Sequence, residues 1–116
     1  MKIKSDFVTN SSSTAFLITN TSDEPKSLAD FVMENPQLIE EFIQVYDYYK
    51  GDPRFTQLRL LESAARDFDE TFHPDEIKYC VFGDEDGTII GQVFDYILRE
   101  GGSSKSFDWK YCESLR

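Results

Sequence analysis

Five carboxylates, Asp67, Asp69, Glu70, Asp75 and Glu76, crowd one stretch of the chain, and Asp84, Glu85 and Asp86 follow closely. Carboxylates in such numbers exchange protons in a cleft, hold a hard cation, or face a basic partner. Asp84-Glu85-Asp86-Gly87 looks like part of a calcium loop. Setting Gly87 at the sixth loop position, however, puts Phe82 at the first, where an acid is required. A turn that closes a strand accounts for the same residues. The sole histidine, His73, precedes Pro74 at the end of an expected helix, where the dipole favours a cation and a structural role. One histidine and two distant cysteines, Cys80 and Cys112, give no zinc spacing.

Nucleophiles fare no better. Ser11, Ser12 and Ser13 have no neighbouring histidine or lysine to act as base and no glycine elbow around them. Gly83, Gly87 and Gly91 recur every four residues without the lysine of a phosphate loop. The sequence therefore predicts no catalytic residue, no metal site and no cofactor. Two readings of its polar clusters stay open. Asn10, Ser11, Ser12 and Ser13 could form a small anion-binding nest from hydroxyls and backbone N–H groups. The acids at Asp67, Asp69, Glu70, Asp75, Glu76, Asp84, Glu85 and Asp86 could meet a basic protein surface, such as that of a nucleic-acid-binding protein. A solvated helical surface would also explain the acids, and a turn that satisfies its own backbone would explain Asn10 to Ser13.

Charge narrows the partner. The 116 residues hold 22 Asp and Glu against 12 Lys and Arg, a formal net charge of -10, which repels phosphate backbones and anionic membranes. Residues 22–76 carry 14 of the acids and 5 of the bases, -9 by difference, so the acidity belongs to the middle of the chain. No run reaches the roughly 20 apolar residues of a membrane span, and the opening lacks the apolar stretch of a signal peptide. A reducing cytoplasm is the expectation, with both cysteines packed as small hydrophobes. Ten Phe and six Tyr supply a core of ordinary size for a single domain over 1–116.

The elements that position these residues read from periodicity and turn chemistry. Ile3 to Thr9 and Thr14 to Thr19, separated by Asn10-Ser11-Ser12-Ser13, suggest a hairpin. Ser27 and Asp30 form an acidic capping box for a short helix from Leu28. Asn35-Pro36 suits the cap and first position of a second helix, whose apolar stripe, Leu38, Phe42, Val45 and Tyr49, runs to Lys50-Gly51. Asp52-Pro53 begins a third, with Phe55, Leu58, Leu61, Ala65, Phe68 and Phe72 on one face, the two pairing antiparallel. Residues 76–83 alternate as a strand with both faces partly buried. Ile89 to Leu98 pairs its apolar residues at helical spacing, although the β-branched start leaves a strand open; Gly101-Gly102-Ser103-Ser104 closes it, and 106–112 is a last strand. The fold class is α+β: a small, mostly antiparallel sheet covered on one face by three to four helices.

The run Asp6-Phe7-Val8-Thr9-Asn10-Ser11-Ser12-Ser13 resembles an N-terminal signature of small, uncharacterised prokaryotic and phage proteins. The resemblance covers about the first eighteen residues and brings no catalytic residues with it. It implies a cytoplasmic protein of bacterial, archaeal or phage origin. Combined with size, acidity and missing chemistry, the expectation is a non-enzymatic interaction module, of the kind a phage uses to occupy a host nucleic-acid-binding protein. The alternatives are a small carboxylate-using enzyme or ligand-binding domain, and a self-associating protein built on a free sheet edge.

Overall fold

The computed structural model describes residues 13–83 and 87–115. In chain order the elements are β1 (Ser13–Asn20), β2 (Lys26–Ser27), α1 (Leu28–Glu34), α2 (Gln37–Val45), α3 (Gln57–Asp67), β3 (Thr71–Phe72), β4 (Ile77–Gly83), α4 (Ile89–Ile97), β5 (Gly102–Ser103) and β6 (Phe107–Ser114). Short 3-10 turns occupy Asp47–Tyr49 and Leu98–Glu100. The fold is α+β. Its main sheet is antiparallel in the order β4-β1-β6-β5, and β2 pairs with β3 in a separate two-stranded ribbon.

Antiparallel partners that sit opposite one another share a face of the sheet, so the register sorts the side chains. On the inner face lie the rows Lys78–Ile18–Trp109 and Cys80–Phe16–Tyr111. The helices cover this face: α4 packs on β4 and β1, α1 and α3 pack on each other, and α2 and α3 both pack on α4. Phe31 of α1 joins the layers, with its ring edge-on to Phe94, Phe107 and Trp109 at 5.6, 5.2 and 5.1 Å. Such geometry sets the positive ring edge against a negative ring face.

Local chemistry fixes the helix starts. Ser27 and Asp30 make the expected capping box, Thr56 accepts from the Arg59 N–H, and Thr88 accepts from the Gly91 N–H. Buried Asn20 ends β1 by donating to the carbonyls of Glu24 and Phe72 and accepting from Ser22, which ties the loop before α1 to the ribbon. Glu34 closes the other end of α1. Its carboxylate accepts from the Ser104 hydroxyl and from the Ser106 N–H at 2.7 Å, anchoring the turn before β6.

Several expectations are corrected. Residues 3–9 of the expected hairpin, with Asn10, Ser11 and Ser12, lie outside the described residues. Both edges of β1 are taken, by β4 and β6. Asn35 does not cap α2: its amide donates back to the Phe31 carbonyl and to Ser104, and Pro36 stands at the cap without a side-chain bond. The second helix stops at Val45, because Tyr46 leaves helical geometry (φ -112°, ψ 68°) before the 3-10 turn. That turn keeps Tyr49 over Phe42, which is why the apolar spacing ran on. The third helix begins at Gln57 and buries Leu60, Ser63 and Ala64, leaving Leu58 and Ala65 exposed; Phe72 belongs to β3. It packs on α1 and α4, not as an antiparallel pair with α2. His73 consequently sits in the turn before β4, well past the end of a helix.

Cys80 is buried as expected, and burial pushes its thiol up to about 12. Cys112 is exposed. The β1–β6 register shifts between Ala15 and Phe16, pairing Phe16 with Tyr111 and Ala15 with Glu113. This bulge skips Cys112 and turns it out of the core.

Candidate protein-interaction surface

No helix among the described residues lies over the outer face of the sheet. Its rows are Ile77–Thr19–Asp108, Tyr79–Leu17–Lys110 and Val81–Ala15–Glu113. Each row runs from an apolar residue on β4, through a small or apolar residue on β1, to a charged residue on β6. Ile77, Tyr79 and Val81 are 61, 52 and 40% exposed, an uncovered apolar column along one strand. The expectation that both faces of this strand are partly buried is corrected: only Lys78, Cys80 and Phe82 turn toward the core side.

Tyr79 is held in place across the face. Its phenol donates to Glu113 Oε2 at 2.7 Å, spanning from β4 over β1 to β6. The bond runs diagonally over β1, from the row of Leu17 to that of Ala15, and Ala15 has no exposed surface although it points outward. The hydrogen bond to the carboxylate, with partial burial, pushes the Tyr79 phenol up to about 12. Between β1 and β6 a shallow hollow of about 160 Å3 is lined by Leu17, Thr19, Asp108, Trp109 and Lys110.

The sheet order leaves β4 at an edge among the described residues, and acids gather where it begins. Lys78 Nζ meets Glu70 at 3.3 Å and Glu76 at 3.4 Å, and rests over the Phe72 ring. Partial burial opposes the Lys78 charge, but its hydrogen bonds to the two carboxylates hold the ammonium above its ordinary range. Glu76 also accepts from the His73 N–H at 2.8 Å, and that bond, with Lys78, holds its carboxyl below the usual range. Asp67, at the end of α3, accepts from Arg66 and from Ser63, and those bonds hold its carboxyl low. Ser63 in turn accepts from the Ile90 N–H, linking α3 to α4.

The eight acids singled out by sequence thus divide. Glu70 and Glu76 converge on one lysine, and Asp67 is matched by Arg66. Asp69 and Asp75 are exposed and make no ion pair among the described residues. Asp75 sits at φ 65°, a left-handed conformation that Asp tolerates better than most side chains, with its N–H donated to the Asn20 carbonyl at 2.8 Å. Asp84, Glu85 and Asp86 lie outside the described residues, directly after Gly83 in the chain. Ser13 opens β1 opposite Gly83. Among the described residues no three His, Cys, Asp or Glu side chains gather as a cation site, and no helix is long and apolar enough to cross a membrane.

Sequence reasoning missed Ile77, Tyr79, Val81 and Glu113. It placed the strand, but alternate positions on both of its sides are apolar, so the pattern carried no sign of which side lacks a cover. It also missed Asp95, fully buried on α4, which accepts from Thr14 at 2.6 Å and pairs with Arg99 at 3.2 Å. No protein-family profile, curated protein sequence or solved structure matches the chain.

Proposed function

We propose that the protein is an interaction module that docks a basic protein partner along β4 and the outer face of the sheet. The observation that carries the reading is the exposed column Ile77, Tyr79 and Val81 on a strand that is an edge among the described residues. An uncovered edge offers backbone groups to an added strand, and a column of apolar side chains offers contact area beside it. Acids flank it in the sequence. Asp75 and Glu76 precede the strand and Asp84, Glu85 and Asp86 follow it, while the strand itself carries the single charge of Lys78. An apolar centre with a charged rim is the composition of a recognition surface, and this rim selects for positive charge.

A partner of that kind is the nucleic-acid-binding surface of another protein, whose lysines and arginines ordinarily face phosphates. The module would occupy it as a phage-type inhibitor does, in a reducing cytoplasm where the free thiols of Cys80 and Cys112 persist.

The test is a pull-down from a bacterial lysate over a salt series, with the wild type, Ile77→Lys/Val81→Lys and Asp69→Lys/Asp75→Lys compared. The expected result is one basic protein, released as salt rises and lost from both variants. Capture that ignores salt, or that survives the lysines on β4, overturns the reading. Light scattering of the purified protein tests the competing occupant, since a second copy on the β4 edge would appear as a dimer.

A further inference from the structure

On the helical side, α2, the Asp47–Tyr49 turn and α4 surround a cavity of about 110 Å3, lined among the described residues by Phe42, Tyr46, Tyr49, Gln92 and Tyr96. Four of those five side chains are aromatic. Phe42 is 2% exposed and forms the buried end of the group. Its ring lies near parallel to Tyr49 with centroids 5.5 Å apart, and 5.1 Å from Tyr46, which reaches 5.3 Å from Tyr96 across the helices. The early stop of α2 is what makes this possible, because the 3-10 turn brings Tyr46 and Tyr49 round to the same side.

Aromatic faces carry negative electrostatic potential and attract cations that have weak hydration shells. Charge in the surrounding chain acts in the same direction. Residues 37–52 hold four acids and one base, and residues 89–100 hold two acids and one base. The chain already places a cation on one of these rings: the Arg99 guanidinium lies 4.7 Å from the Tyr96 centroid. That arginine is matched by buried Asp95, so it adds little net repulsion. Size sets a further limit. The hollow of about 110 Å3 is open on one side, so it seats part of a head group against the rings and does not enclose it.

We propose that the cavity binds a trimethylammonium head group. A quaternary nitrogen fits because it spreads its charge over methyl groups, which rest on ring faces without demanding hydrogen bonds. The head could belong to a choline-type small molecule or to a trimethylated lysine side chain. None of the residues that line it belongs to β4, and its failure would leave the proposed docking surface untouched.

The test is a titration followed by the aromatic proton resonances of Tyr46, Tyr49 and Tyr96, with two probes. One is choline and the other is dimethylbutanol, the neutral isostere in which carbon replaces the quaternary nitrogen. Saturable shifts with choline, and binding of the alcohol at least about tenfold weaker, are the expected result. Tyr96→Leu should abolish the shifts and Tyr96→Phe should keep them; should Tyr96→Leu not fold by circular dichroism, Tyr46→Leu serves the same purpose. A short trimethyllysine peptide distinguishes the sources, since tighter binding than choline assigns the head group to a protein. Equal affinity for choline and the alcohol, or no saturable shift with choline or the peptide, overturns the proposal.

Discussion

Tyr79 illustrates how one hydrogen bond can define a surface. The Glu113 carboxylate favours the neutral phenol, so the contribution of this bond is complete below the ordinary phenol range and is lost as pH rises through about 12. Absorbance titration should therefore show one tyrosine ionising near 12, which Tyr79→Phe removes and Glu113→Gln moves back toward 10. Glu34 has the opposite sign. Burial alone would raise it, but bonds from Ser104 and Ser106 hold the carboxyl below its usual 4.5. Its stabilisation is full above that value and fades as pH falls through the lower folded value. Glu34→Gln should cost about 1–2 kcal/mol at neutral pH, and urea unfolding should show the difference shrinking in acid.

Strand β4 concentrates the element-scale question, because among the described residues it is an edge whose outward column is apolar. Natural edges are commonly blunted by charge, lysine above all. Val81→Lys should therefore leave stability within about 0.5 kcal/mol while removing partner capture, a combination that thermal melts and pull-down read separately. Sequence located this strand, the helix from Leu28 and the last strand within a residue or two, because capping boxes and alternation act over a few neighbours. It misjudged features set by distant contacts. Thr56, not Asp52, opens α3, and the face that α3 buries was decided by α1 and α4, which no local pattern encodes. Cys112 was expected inside for the same reason: the bulge opposite Ala15 depends on pairing between strands some ninety residues apart. For the candidate surface, the acids were legible as residues, but which of them are spent on Lys78 and Arg66 was not.

Across the whole molecule, aromatic junctions join sheet and helices, Phe31 on Phe107 and Trp109 and Phe94 on Phe82. Phe31→Ala should cost about 3–5 kcal/mol, near the upper end because three edge-on rings lose their partner, and a calorimetric melt measures it directly. A net charge of -10 adds a global electrostatic effect: association with a basic partner should slow as ionic strength rises, before dissociation quickens. Trp109, the one tryptophan of the chain, lies almost wholly inside, and a Cβ added at Gly102 would come within 2.6 Å of its indole ring. The bare backbone of β5 is thus the lid on the indole. Intrinsic fluorescence excited at the indole consequently reports on the β5–β6 margin: a red shift that precedes the loss of helical signal would show that this corner detaches first, and Gly102→Ala should bring the shift on at lower denaturant.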